Sequence, residues 1–352
     1  MKKISFFTLL AFLVLVSCQE ELTTGDYMSN IVVTKSGDSE YSSAFSKVNN
    51  SDLKTKPEPN PSRTSPSKWA VIINGGCDST HNYKRYWNDC RDVYEVITTE
   101  LNYPFNQVFC LVSDGIESGK DRRIGYSSYD SSPVDYDGDG YIDVTSSATY
   151  NDIDGLIGYL EDYVSAGDEL LVVITGPIDQ NNGYIYLWGN DTLSPDELSY
   201  QLDRFDEDVN IDVVLGTSAS GLYLDDLVTD NRTIMTATDP YSFAIPYDNY
   251  AEHGYFLHYW IEAINTIDSS ISGQFSNGDG YLSSLEIFKY AEHQLSYYSE
   301  SPQINFGPDA FSWGHDLEGN SFVPSLTGPD YADQTNYGLY TVSNLPSSIT
   351  PS

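Results

Sequence analysis

The sequence predicts an α/β domain in three layers, a mostly parallel sheet with helices on both faces. Three observations carry that expectation. Glu169-Leu170-Leu171-Val172-Val173-Ile174-Thr175 is an unbroken apolar run, rich in β-branched residues and stopped by Gly176-Pro177. That is the pattern of a strand buried on both faces. Similar runs recur at 69–74, 107–112, 211–215 and 233–238, and helical periodicity fills the intervals between them. Strands that alternate with helices imply crossover connections and a parallel sheet.

Residues 1–17 read as a secretory signal, Met1-Lys2-Lys3 followed by an apolar run from Ile4 to Val16. The run ends Leu15-Val16-Ser17-Cys18, which resembles the lipobox of bacterial lipoproteins and implies lipidation of Cys18; ordinary cleavage with Cys18 incidental is the alternative. Gln19-Glu20-Glu21 resembles the surface-export signals of Bacteroidetes-type lipoproteins. The expected location is therefore the outer membrane or cell surface of a Gram-negative bacterium, with the lipid as the only membrane contact. Residues 18–67 are polar and carry Pro57, Pro59, Pro61 and Pro66, a composition that suits an extended tether.

The folded domain is expected over 68–310. Its first strand, Trp69-Ala70-Val71-Ile72-Ile73-Asn74, stops at Gly75-Gly76. Tyr86, Cys90, Val93, Ile97 and Leu101 then fall on one helical stripe. After the strand at 107–112, a helix beginning near Asn151 buries Ile153, Leu156, Ile157, Leu160 and Val164, with Thr149 and Asp152 spaced as a capping box. A hairpin is expected through Tyr184-Ile185-Tyr186-Leu187-Trp188, and Ser194-Pro195-Asp196-Glu197 opens another helix. Phe256, Leu257, Trp260, Ile261 and Ile264 mark a helix, and one more starts near Ser283. Residues 311–352 are rich in Gly, Pro, Ser and Asn and give no assignment.

A formal charge of −35 repels nucleic acid and anionic lipid, and attracts divalent cations and basic partners. Aromatic residues make up 14% of the chain, which argues for a packed core and against disorder. Beyond Cys18 there are Cys77, Cys90 and Cys110; an odd set at irregular spacing reads as neither a disulfide framework nor a zinc site. At most one bridge is open to them, and whether Cys77 and Cys90 pair is left open.

Two acidic loops stand out. Asp135, Asp137, Asp139 and Asp143 occupy positions 1, 3, 5 and 9 of an EF-hand-like loop, with Gly140 at 6 and the Tyr141 carbonyl at 7. Alternating carboxylates around a tight glycine turn suit a hard cation, so structural calcium is expected there, although position 12 is Ser146. The second loop has Asn277, Asp279, Ser283 and Glu286 in register, but Phe275 at its first position. It is expected to serve as a turn and helix cap.

These pieces, in this order, resemble the caspase-like fold of clan CD cysteine peptidases, and most closely the bacterial secreted branch of the legumain-like peptidase C13 family. The resemblance rests on 69–76, on His81-Asn82-Tyr83-Lys84-Arg85-Tyr86-Trp87-Asn88-Asp89-Cys90, on the 135–143 loop, on Ser218-Ala219-Ser220-Gly221, on Thr238-Asp239-Pro240-Tyr241, and on 277–290 with Ser301-Pro302-Gln303-Ile304. It implies a general-base His in Thr-Asp-His-Gly after one strand and a nucleophilic Cys in Cys-x-Ser-Gly after the next. This chain has Thr175-Gly176-Pro177-Ile178 and Ser218-Ala219-Ser220-Gly221 at those places. Pro177 therefore stands for the imidazole and Ser218 for the thiol, while Asn82 matches the residue that orients the His.

A serine hydroxyl without an adjacent base is a poor nucleophile, and loss of one member of such a unit already removes most catalysis. The expectation is a catalytically inactive homologue, a pseudopeptidase that binds peptide or protein partners, with basic ones favoured by the acidic charge. Two alternatives stand beside it. One is a hydrolase using Ser218 with His81, or a recruited Cys77. The other is a calcium-stabilised structural subunit of a surface complex.

Overall fold

The computed structural model describes residues 53–60, 66–117, 119–247, 252–298 and 300–306. The signal segment, Cys18, tether residues 19–52 and 61–65, and residues 311–352 lie outside the described residues. The elements, in chain order, are β1 (Lys68–Asn74), α1 (Lys84–Thr99), β2 (Val108–Val112), β3 (Arg122–Arg123), β4 (Tyr129–Asp130), β5 (Val144–Ser146) and α2 (Tyr150–Leu160). There follow β6 (Glu169–Thr175), β7 (Ile178–Asp179), β8 (Tyr184–Leu187), β9 (Asp191–Leu193), α3 (Pro195–Leu202), β10 (Asn210–Gly216), α4 (Leu224–Leu227) and β11 (Arg232–Thr236). The last are β12 (Pro246–Tyr247), β13 (His253–Gly254), α5 (Tyr255–Thr266), α6 (Ser284–Leu295) and β14 (Gln303–Phe306).

Seven strands form the central sheet in the order β14-β11-β10-β6-β1-β2-β5, and only β14 runs antiparallel. Alternation along each strand divides the core into two layers. Ala70, Ile72, Leu171, Val173 and Val214 pack against α1, α5 and α6, through residues such as Val93, Trp260 and Phe288. Val71, Ile73, Val172, Ile174 and Val213 pack against α2, α3 and α4, through Leu156, Leu198 and Leu227. The fold is three-layer α/β, and β6 is buried along its whole length as its sequence requires.

Local chemistry fixes the helix starts. Ser194 and Glu197 form a complete capping box with Pro195 at the first helical position. Thr149 accepts from the Asp152 amide, but the Asp152 carboxylate turns to the hydroxyls of Thr149 and Ser147 rather than closing a reciprocal box. Ser283 and Glu286 form a second complete box, and Glu286 also accepts from the Asn277 amide at 2.7 Å. The second acidic loop thus uses its glutamate to hold a turn against a helix.

Three differences from the sequence reading have physical causes. The strand at 233–238 ends at Thr236, because Thr238 turns to meet Ser220. Edge strands β5 and β14 are too short to announce themselves in the sequence. Part of the tether also belongs to the domain: Lys54 bridges to Tyr141, and Lys56 lies 4.4 Å over the Tyr94 ring and 3.0 Å from Asp143.

Candidate functional site

In register, Thr175 of β6 lies beside Asn74 of β1 on one side and Gly216 of β10 on the other, so three carboxyl ends finish level. From β1 the sheet grows outward to β2, and from β6 it grows the other way to β10 and β11. The switch point lies between β1 and β6, where ligands of open α/β sheets collect. Segments 75–77, 176–177 and 217–218 emerge around it.

The β6 and β10 ends carry the two positions that the clan CD resemblance marks as catalytic. Gly176 has φ +144°, and a Cβ there would lie 2.9 Å from the Gly75 Cα, so the two backbones meet with no room for a side chain. Pro177 presents no imidazole, and its carbonyl accepts from the Tyr186 amide at 2.9 Å. Ser218 Oγ accepts from the Ala244 amide at 2.9 Å. Among the described residues no imidazole lies within hydrogen-bonding distance of it.

The surrounding amides are also engaged. Ala219, in the left-handed region at φ +50°, donates to the Ser242 carbonyl; Gly221 donates to the Thr238 carbonyl; and Ser220 donates to Thr238 Oγ1. These three amides are therefore spent within the fold rather than offered to an oxyanion beside Ser218.

Asn82 is fully buried, but its Nδ2 donates to Asp121 Oδ2 at 2.9 Å and to the Asp121 carbonyl at 3.3 Å. Asn82 thus fastens the loop after β2 through its Nδ2, while its buried Oδ1 has no protein partner among the described residues. Burial and the adjacent Asp121 carboxylate push Asp114, in the same loop, up to about 8.

His253 also has a structural partner. Its Nδ1 lies 3.4 Å from both the buried Asp89 and Asp92. Burial opposes the imidazolium, but those carboxylates outweigh it and raise the pKa. Asp89 in turn accepts from the Gly254 amide.

The β1 end is chemically richer. Cys77 Sγ lies 3.3 Å from His81 Nδ1, and Asp78 Oδ1 approaches the same nitrogen at 2.9 Å. The sequence reading treated Cys77 and His81 separately and left out Asp78. The Cys77-Asp78-x-x-His81 spacing was the available signal. None of Cys77, Cys90 and Cys110 is in a disulfide.

In the first acidic loop, Asp135, Asp137 and Asp143 offer oxygens within 4.8 Å of one another. Asp139 lies outside that group and accepts from the Tyr141 amide. Gly138 and Gly140 take φ of +78° and +86°, the tight turn the loop needs. Burial, then the neighbouring carboxylates, raise the Asp137 pKa, although the Asp139 amide opposes them. Lys56 already supplies a positive charge to Asp143.

Several buried polar atoms at this end of the sheet have no protein partner, including both side-chain atoms of Asn74, Ser113 Oγ and Thr217 Oγ1. Such groups are unfavourable in a closed interior and ordinarily face water or a ligand.

No protein-family profile matches the chain, and no curated protein sequence matches it. Among solved structures it is similar to protein GSU0716 from Geobacter sulfurreducens, at 12% identity and a TM-score of 0.44 over 69% of this chain and 94% of that one. The likeness carries no argument for function. No described helix is long and apolar enough to cross a membrane.

Proposed function

We propose that this chain is a pseudopeptidase, a catalytically inactive homologue of caspase-like C13 peptidases, exported and held at a membrane by lipid on Cys18. It binds extended peptides or protein partners and does not cut them. The observation that carries the reading is the use of Ser218 as a loop fastener: its hydroxyl takes the Ala244 amide, and the amides of the three residues that follow it are already bonded. Pro177 at the neighbouring strand end supplies no base. The partnerless polar atoms of Asn74, Ser113 and Thr217 support a ligand at the strand ends, and the charge of −35 favours a basic one.

Labelling with fluorophosphonate and thiol-directed active-site probes, alongside a peptide library, tests the proposal. The expected result is no probe on Ser218 and no turnover, with retention of basic peptides on immobilised protein. Turnover that vanishes in Ser218→Ala would overturn it. A hydrolase reading has one specific observation in its favour, the 3.3 Å approach of Cys77 to His81; rapid thiol-probe labelling of Cys77 with turnover would favour it.

Calcium at Asp135, Asp137 and Asp143 belongs to the same proposal as a structural ion. Three grouped carboxylates on a glycine turn support it.

A further inference from the structure

We propose that Cys77, Asp78 and His81 form a transition-metal site of the zinc class, with one coordination position open to water or an exogenous ligand. The three donor atoms lie within 4.8 Å of one another on a single turn at the end of β1. The turn is closed by the His81 and Asn82 amides donating to the Asp78 carbonyl, and the Cys77 carbonyl accepts from the Gly189 and Asn190 amides. Its position at the switch point between β1 and β6 is independent of the Pro177 and Ser218 positions, so the inference stands or falls apart from the pseudopeptidase reading.

The geometry separates a metal site from a nucleophile with its base. A catalytic thiol–imidazole unit uses one ring nitrogen for the nucleophile and the other for the orienting group. Here Sγ at 3.3 Å and the Asp78 oxygen at 2.9 Å converge on the same nitrogen, Nδ1, as does Thr80 Oγ1 at 3.0 Å. One proton on Nδ1 serves one acceptor well, and a relay through the ring has no second partner in this cluster. A cation replacing that proton would satisfy all three donors at once.

The spacing is close to what coordination requires. Tetrahedral zinc with ordinary bond lengths separates sulfur from nitrogen by about 3.6 Å and nitrogen from oxygen by about 3.4 Å. The sulfur–nitrogen pair at 3.3 Å and the nitrogen–oxygen pair at 2.9 Å therefore need to open by only a few tenths of an ångström, and the sulfur–oxygen pair lies within 4.8 Å.

The donor set chooses the metal. Thiolate and imidazole favour zinc-class ions over calcium or magnesium, which prefer oxygen. Cys77 is 3% exposed, whereas the side chains of His81 and Asp78 are 37% and 46% exposed. The sulfur thus forms the floor and the other ligands the rim, leaving the solvent side for a fourth ligand. Thr80 donates to Asp78 Oδ1 through its amide at 2.7 Å and its hydroxyl at 2.6 Å, which fixes the carboxylate. The cysteine spacing alone predicted no zinc site because the partners of this thiol are a carboxylate and an imidazole.

Cobalt titration of the chelator-treated full-length chain tests the site, since cobalt reports zinc sites by colour. The expected result is one equivalent bound, with a near-ultraviolet thiolate-to-cobalt charge-transfer band and visible bands of a four-coordinate ion, all bleached by zinc. Cys77→Ser should remove the charge-transfer band, and His81→Ala should weaken binding at least about tenfold. Asp137→Asn should leave the spectrum unchanged. Melting temperatures without metal keep a folding defect in Cys77→Ser distinct from a lost ligand, and the rim variant His81→Ala tests the site independently. No charge-transfer band in the wild type, a band surviving in Cys77→Ser, or iodoacetamide alkylation of Cys77 at the same rate with and without zinc would each overturn the proposal.

Discussion

The ends of β6 and β10 and the end of β1 lie side by side and have been built to opposite purposes. At β6 and β10 the Ser218 hydroxyl takes the Ala244 amide, the Ala219, Ser220 and Gly221 amides go to Ser242 and Thr238, and the Gly176 backbone lies so close to Gly75 that no side chain fits. At β1 a thiol, an imidazole and a carboxylate crowd a single nitrogen on an exposed turn. The contrast teaches that matching strand ends by position alone misplaces the chemistry. What a strand end can do depends on whether its donors and acceptors are already occupied.

That contrast breaks most visibly at Gly176. Gly176→Val forces a side chain into the Gly75 backbone from a backbone conformation that L residues resist, and is expected to cost about 3 kcal/mol or more. On the β1 turn, His81→Ala removes a half-exposed side chain and should cost under about 1 kcal/mol in the absence of metal. Urea unfolding of the two variants checks the pair; equal losses would mean that the two ends are equally structural.

A smaller effect sharpens the picture through pH. Glu300 accepts from the Ile245 amide, next to the Ala244 that fastens Ser218, and burial pushes its carboxyl from 4.5 to about 8 despite that bond. The folded chain therefore holds this proton more tightly than the unfolded chain. The stabilisation is complete below about pH 4.5 and is lost as pH rises through about 8. Glu300→Gln keeps an acceptor without the charge, and should flatten the stability profile between about pH 4.5 and 8 and gain about 2 kcal/mol at the alkaline end. An unchanged slope in denaturation curves would show that Glu300 does not control this loop.

Ser218→Ala comes next. It removes one hydrogen bond, is expected to cost about 1 kcal/mol, and should alter no hydrolytic rate. A shift of similar size belongs to calcium. An ion at tenfold excess over its Kd should raise stability by about 1.4 kcal/mol, lost in Asp137→Asn. Calorimetry with and without chelator reads it, and no change in Tm would remove calcium from the account.

Much of the scaffold was legible in the chain. β1, β2, β6 and β10 are continuous apolar runs because both faces of the sheet are covered, and the boxes at Ser194 and Ser283 announce their helices by residue type alone. The edge strands were not legible. Val144-Thr145-Ser146 has one buried apolar residue, and Gln303–Phe306 is held by pairing with β11 rather than by its own pattern. The docking of Lys54 and Lys56 was hidden as well, since two lysines in a polar, proline-rich stretch look like tether until the acidic loop they meet is in place. At the site, Pro177 and Ser218 were readable as substitutions. The partner of Asn82 was not, because Asp121 is 39 residues away and reached through a loop. Cys77 and His81 meet only because the intervening turn curls back on itself.

The described sheet ends at one margin in three-residue β5, whose register on β2 is irregular, and at the other in four-residue β14, which runs against its neighbour. Such brief margins give an incoming strand little ladder to extend. Copies of the described domain would therefore have scant means of zipping together edge to edge, so the same short strands that were hardest to read disfavour sheet-to-sheet association.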